Sequence, residues 1–265
     1  MPALRRGRML KRWRYLGIFG PKVMLCACEV AVGPLRQRFW AVAEPGGALV
    51  ESTRPVAGPM LGAVGGELGT VHLELAGAGA RAELERDLGA GPPSIEVVAP
   101  SGSRGYVWTR KQAGAPVRGR VEVGGRRLAV EAHAVLDDTA GYHAHRTSWH
   151  WCAGVGRIDD GRAVAWNLVA GANDPPRGSE RTVWMDGLPA EAAPVCFASD
   201  LSTLSFAGGD GELLLETWAT RAESTSLGVL SSRIRQPFGT FSGSLPGGLR
   251  LAEGYGVMEA HDARW

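Results

Sequence analysis

Cysteine is scarce in this sequence of 265 residues. The four present, Cys26, Cys28, Cys152 and Cys196, form no CxxC pair and lack the density of a secreted disulfide scaffold. They are expected to be reduced and mostly buried. Cys26 and Cys28 would share one face of a strand, but no matching second pair accompanies them, so small core residues are the preferred reading over a soft-metal site. An excess of charge of one sign is lacking too. With 29 basic residues against 27 acidic ones, no global field favours nucleic acid or an anionic membrane, and neither is expected as a partner.

Long apolar runs are absent as well, which excludes an integral membrane helix. Arg5, Arg6, Arg8, Lys11 and Arg12 imitate the start of a signal peptide. The following stretch, 15–32, is broken by Gly17, Gly20, Pro21 and Lys22 and carries Glu29, so it reads as two strands around a turn, and a cytoplasmic location is expected. There is no Gly-x-Ser-x-Gly elbow, no phosphate-binding Gly-Lys-Ser or Gly-Lys-Thr loop and no dinucleotide fingerprint ahead of a helix. Their absence speaks against hydrolase, nucleotide-driven and nicotinamide chemistry, and no cofactor is expected.

What the chain has is glycine, 38 residues of it, placed between short β-rich segments. Strands are expected within 23–32, 70–75, 94–99, 119–123, 127–134, 162–169, 212–218 and 255–260. Between such segments lie Glu44-Pro45-Gly46-Gly47, Val123-Gly124-Gly125-Arg126, Ile158-Asp159-Asp160-Gly161, Gly208-Gly209-Asp210-Gly211 and Pro246-Gly247-Gly248, which suit hairpin turns with positive φ supplied by glycine. The one helix-like pattern, 80–88, is short and suits a strand equally. Some sixteen to eighteen strands, spaced at ~8–12 residues without crossover helices, predict an all-β chain of antiparallel meanders. That number is too large for one small barrel. Two consecutive β units, 1–115 and 116–265, are therefore expected, with the link at 111–116; one continuous sandwich is the alternative.

Chemistry concentrates between Leu136 and Asn173. If 142–153 is one strand, His143, His145, Thr147, Trp149 and Trp151 share a face, which is then aromatic with two imidazoles. Such an HxH pair is permissive for a divalent metal, with Asp138, Glu259 or His261 as a further ligand, but the spacing is not specific and no metal is expected. At the C-terminus, alternation places Tyr255, Val257, Glu259 and His261 on one side. There a carboxylate and an imidazole exchange protons with a ligand or simply fix the terminus. Asn167, Asn173, Glu180 and Asp186 are further polar candidates, set among Trp166, Trp184 and Trp218. Nine tryptophans against four tyrosines suit a lined cavity as well as a packed core.

The succession Lys11-Arg12-Trp13-Arg14-Tyr15, Trp108-Thr109-Arg110-Lys111-Gln112-Ala113-Gly114, Asp137-Asp138-Thr139-Ala140-Gly141-Tyr142, Trp149-His150-Trp151, Asp160-Gly161-Arg162, Asn167-Leu168, Gln236-Pro237-Phe238-Gly239 and 259–265 resembles the bacterial family catalogued as domain of unknown function 2804. That family is distantly similar to the two-domain lipocalin-like proteins that include carotenoid hydratases, tocopherol cyclases and Diels-Alder cyclases. The resemblance implies two adjoining lipocalin-like (calycin) barrels or sandwiches around an apolar cavity, and in this group an acid within the barrel protonates an alkene. Asp138 and Glu259, with His261, are the residues here able to do so. His143, His145, Trp149, Trp151, Asn167 and Trp184 are the expected ligand-binding set. The expected partner is a lipophilic small molecule and not another protein. Whether that molecule is only bound, or hydrated, isomerised or cyclised without a cofactor, is left open, since one fold hosts many activities.

Overall fold

The computed structural model describes residues 1–56, 71–73, 80–86, 91–227 and 230–265. No α-helix occurs among the described residues. After a small ribbon of β1 (Leu4–Arg5) and β2 (Arg8–Met9), two nine-stranded antiparallel sheets follow one another along the chain.

The first sheet opens with a meander of β3 (Lys11–Phe19), β4 (Met24–Val32), β5 (Leu35–Ala43) and β6 (Leu49–Pro55). It continues through β7 (Val71–Leu73), β8 (Ala80–Arg86), β9 (Ile95–Ser101), β10 (Gly105–Val123) and β11 (Arg126–Gly141), and β11 returns to lie beside β3. The second sheet repeats this plan. A meander of β12 (Arg146–Ile158), β13 (Ala163–Ala170), β14 (Thr182–Met185) and β15 (Leu188–Glu191) is answered by β16 (Val195–Phe197), β17 (Thr203–Phe206), β18 (Glu212–Leu227), β19 (Leu230–Leu245) and β20 (Leu249–Arg264). There β20 pairs with β12. Each sheet thus places its first and last strands side by side, and each curls as a half-barrel.

Several strands are far longer than their sequence signals, because glycine and proline within them mark bends instead of ends. The segment 111–116 lies inside β10, where the register shifts between Ala113 and Ala115 and Gly114 takes φ +94°. A bulge of this kind bends the strand, and β10 accordingly pairs with β9 over 105–111 and with β8 over 117–123. The chain passes from one sheet to the other between Gly141 and Arg146. The helix-like pattern at 80–88 forms β8 over its described part, and of the expected strand 70–75 only Val71–Leu73 lies within the described residues. Of the expected turns, Gly124 and Gly125 (φ +57° and +74°) close the β10–β11 hairpin at the pair Val123–Arg126, as a two-residue turn with two left-handed positions requires.

Strand alternation sorts the apolar residues into three cores. Leu16, Ile18, Leu25 and Val42 pack inside the curl of the first sheet. Trp166, Leu168, Phe206 and Phe241 do so in the second, where Gly154 is needed because a Cβ would stand 2.3 Å from the Trp166 ring. The intervening residues, among them Tyr15, Phe19, Met24, Cys26 and Cys28 from one sheet and Trp151, Val155 and Phe238 from the other, join the two sheets face to face. Each large side chain so buried contributes about 1.5–3 kcal/mol.

Candidate functional site

Where the two sheets diverge, a cavity of about 440 Å³ opens between them. Its apolar wall includes Val30 and Phe39 from the first sheet and Trp151, Val169 and Ile234 from the second. Ionisable side chains interrupt this wall at three places.

The first is built on the cross-strand pair Lys111 and Asp137. The Lys111 Nζ lies 2.7 Å from Asp137 Oδ1 and 3.2 Å from Glu180 Oε1, and so joins the sheets. Asp137 also accepts from the Thr139 hydroxyl at 2.8 Å and from the Trp13 indole at 3.2 Å, while Asn173 donates to Glu180 at 3.2 Å. Burial raises the pKa of Glu180; Lys111 opposes that shift and the charge of Asp137 adds to it. For Lys111, burial favours the neutral amine, but the two carboxylates outweigh it and the pKa is raised.

The second place is Glu259. Its Oε1 accepts from the Trp149 indole at 3.2 Å and stands 3.5 Å from His261 Nδ1, and its Oε2 accepts from Gln236 at 2.7 Å. The other imidazole nitrogen, Nε2, is 2.8 Å from the Ser232 hydroxyl. The third is Arg221, fully buried over the Phe39 ring at 4.0 Å and paired with Glu223 and, at 3.3 Å, with Glu51.

Aromatic rings connect these groups. Trp265, His143, Trp13, Trp149 and His261 form a column with successive centroid separations of 6.0, 4.9, 5.9 and 4.1 Å. His143 is held neutral, its pKa lowered to about 3 by burial and by the nearby Lys11 ammonium. Four of the described lining residues carry a buried polar atom that makes no hydrogen bond of good geometry within the protein: Tyr15 Oη, Arg36 Nε, His143 Nδ1 and Arg221 Nη1. Burial, with the Cys26 thiol next to it, raises the Tyr15 pKa well above 10.0, so the phenol keeps its proton. An unpaired buried polar atom costs about 1–3 kcal/mol, which a ligand offering the complementary group offsets.

Of the residues expected from sequence, Glu259, His261, His143, Trp149, Trp151, Asn173 and Glu180 line this cavity. Asp138 does not. It faces the other side of the first sheet, bound to Arg14 at 2.6 Å with Arg110 at 3.6 Å, and alternation puts Asp137 in the cavity instead. His145 is exposed and accepts from Arg264 at 3.4 Å, because 142–145 connects the sheets and the strand starts only at Arg146; the two histidines share no face. Asn167 stands behind the wall, accepting the Trp151 N–H at 2.8 Å and donating to the Glu180 carbonyl at 2.8 Å. Trp184 lines a second cavity of about 400 Å³ elsewhere between the sheets and donates to the Pro93 carbonyl. Among the described residues no group of three histidine, cysteine or acidic side chains is arranged to hold a metal ion. Lys111, Tyr15, Arg221 and Ser232 are not among the site residues expected from sequence; Lys111 sits on the cavity side of its strand through the β10 register.

The family model described as domain of unknown function (DUF2804) matches residues 65–265. No curated protein matches the sequence. Among solved structures, a protein assigned as AttH from Nitrosomonas europaea superposes with a TM-score of 0.59 at 12% identity, covering 97% of this chain and 94% of that one. Kievitone hydratase from Nectria haematococca gives 0.58 at 14% identity, over 94% and 88% of the two chains. Both share the fold.

Proposed function

This chain belongs to the DUF2804 family, and we propose that it binds a largely apolar, flat small molecule between its two sheets and exchanges a proton with it through Glu259 and His261. The observation that carries the reading is the pairing of an apolar wall with two carboxylates, Asp137 and Glu259, each held by one indole of the stacked Trp13–Trp149 pair. The aromatic column supplies area against which an unsaturated ligand stacks. Glu259 and His261 form a carboxylate–imidazole couple able to give or take a proton at an alkene or enol carbon, with no cofactor needed. Lys111, Asp137 and Glu180 fix the polar end of the ligand. Hydration, isomerisation and cyclisation share this proton step, and kievitone hydratase, a hydratase by name, is built on the same fold.

A carrier without chemistry is the second reading. It is favoured by one observation: both oxygens of Asp137 and of Glu259 already accept from protein donors. The experiment that separates the two recovers the apolar molecule bound in the native cells and incubates it, and its precursors, with wild type and with Glu259→Gln. Conversion by wild type, lost in Glu259→Gln with binding retained, supports the enzyme. An unchanged molecule in every case leaves the carrier.

A further inference from the structure

Ser232, His261 and Glu259 lie in the order hydroxyl, imidazole, carboxylate along one wall of the cavity. Ser232 Oγ is 2.8 Å from His261 Nε2, and His261 Nδ1 is 3.5 Å from Glu259 Oε1. The three come from neighbouring strands, Ser232 on β19 and the other two on β20, with His261 packed on the Trp149 ring at 4.1 Å. We infer that Ser232 is a nucleophile and that the site takes carboxylic esters whose acyl part is apolar. The sequence holds no nucleophile elbow, and here none is needed, because triad chemistry is a matter of geometry and not of motif. The inference rests on the proposed reading in one respect, that the cavity admits an apolar chain.

The chemistry balances with water as the only co-reactant. Ser232 Oγ bonds to the ester carbonyl carbon, the carbonyl π pair moves to its oxygen, and the hydroxyl proton passes to His261 Nε2. Glu259 Oε1, 3.5 Å from Nδ1, stabilises the imidazolium. As the carbonyl re-forms, the carbon–oxygen bond to the alcohol breaks and the departing oxygen takes the proton from Nε2. Water, losing a proton to Nε2, then attacks the acyl-serine, and that proton returns to Ser232 Oγ as the acid leaves. Strands pair with β19 on both sides of Ser232, so its backbone is committed to the sheet. The charge on the carbonyl oxygen therefore falls to a side chain. Thr225 is the direct cross-strand partner of Ser232 and lines the same cavity, and its hydroxyl makes only a long 3.4 Å bond to Glu223.

The test uses the full chain with a p-nitrophenyl ester of a medium-chain acid and, separately, an alkyl fluorophosphonate. Expected are p-nitrophenolate release and one phosphonyl adduct per chain, mapped to the peptide carrying Ser232. Hydrolysis should fall at least about 100-fold in Ser232→Ala and in His261→Gln. Binding of an apolar fluorescent probe, measured on the same samples, shows whether the variants keep the cavity; if Ser232→Ala loses it, the mapped adduct on wild type decides alone. No adduct, an adduct elsewhere, or hydrolysis unchanged in Ser232→Ala overturns the inference. Probe bound without labelling then leaves the cavity reading standing, whereas no probe bound would take both.

Discussion

The indoles of Trp13 and Trp149 lie parallel within 5°, 5.9 Å apart, one from each sheet, and each donates its N–H to a carboxylate of its own sheet. The stack therefore joins the sheets and aims two acids at one cavity. Parallel aromatic pairs add about 0.5–1.5 kcal/mol beyond the area they bury. A double-mutant cycle of Trp13→Leu and Trp149→Leu, read by urea unfolding, should give a coupling in that range. A coupling near zero would show that the rings are neighbours without interaction.

Lys111 bridges Asp137 and Glu180, with 3% of its side chain exposed. Removing one partner of such a set leaves buried charge without compensation and costs about 3–5 kcal/mol. Lys111→Met should lose this much in chemical denaturation, and Lys111→Met with Asp137→Asn and Glu180→Gln should recover most of it. A single substitution that costs under about 1 kcal/mol would contradict the charge balance described.

His143 sets a direction for acid sensitivity. Its pKa in the fold, about 3, lies below its ordinary 6.5, so between these values the unfolded chain binds a proton that the native one does not. Stability therefore falls as pH drops from 6.5 toward 3, by up to about 1.4 kcal/mol per pH unit from this residue. Wild type minus His143→Gln, followed by urea midpoint across that window, should show the difference shrinking as pH falls. A pH-independent difference would mean that His143 titrates normally.

Asp137 and Asp138 are adjacent but face opposite sides of the sheet. Asp137→Asn should weaken binding of a polar-ended apolar probe several-fold, and Asp138→Asn should leave it unchanged, by fluorescence titration. The reverse order would place the wrong acid in the cavity.

This pair also shows how far the sequence could be read. Glycine-marked turns such as Val123–Arg126 and the abundance of β-branched segments made the all-β class legible, and Trp149, Trp151, Glu259 and His261 followed from alternation within strands that do run straight through them. Alternation fails where its phase is unknown. One residue of register decides between Asp137 and Asp138, and the connection 142–145 breaks the phase linking His143 to Trp149. Strand ends are obscured for a related reason: Gly114 and Pro116 look like punctuation, yet they sit at a bulge in a strand of 19 residues. The second partners of Lys111 and Arg221 were out of reach of local reading, since Glu180 lies in the β13–β14 connection and Glu51 on the other sheet.

Native mass spectrometry of protein purified from its own cells decides whether the space between the sheets holds an apolar molecule. Val30 lines the cavity, and Val30→Trp would fill part of it at a cost of about 1–3 kcal/mol. One apolar molecule per chain is expected on wild type and none on folded Val30→Trp. Wild type carrying no such molecule, or Val30→Trp retaining it, would contradict the account.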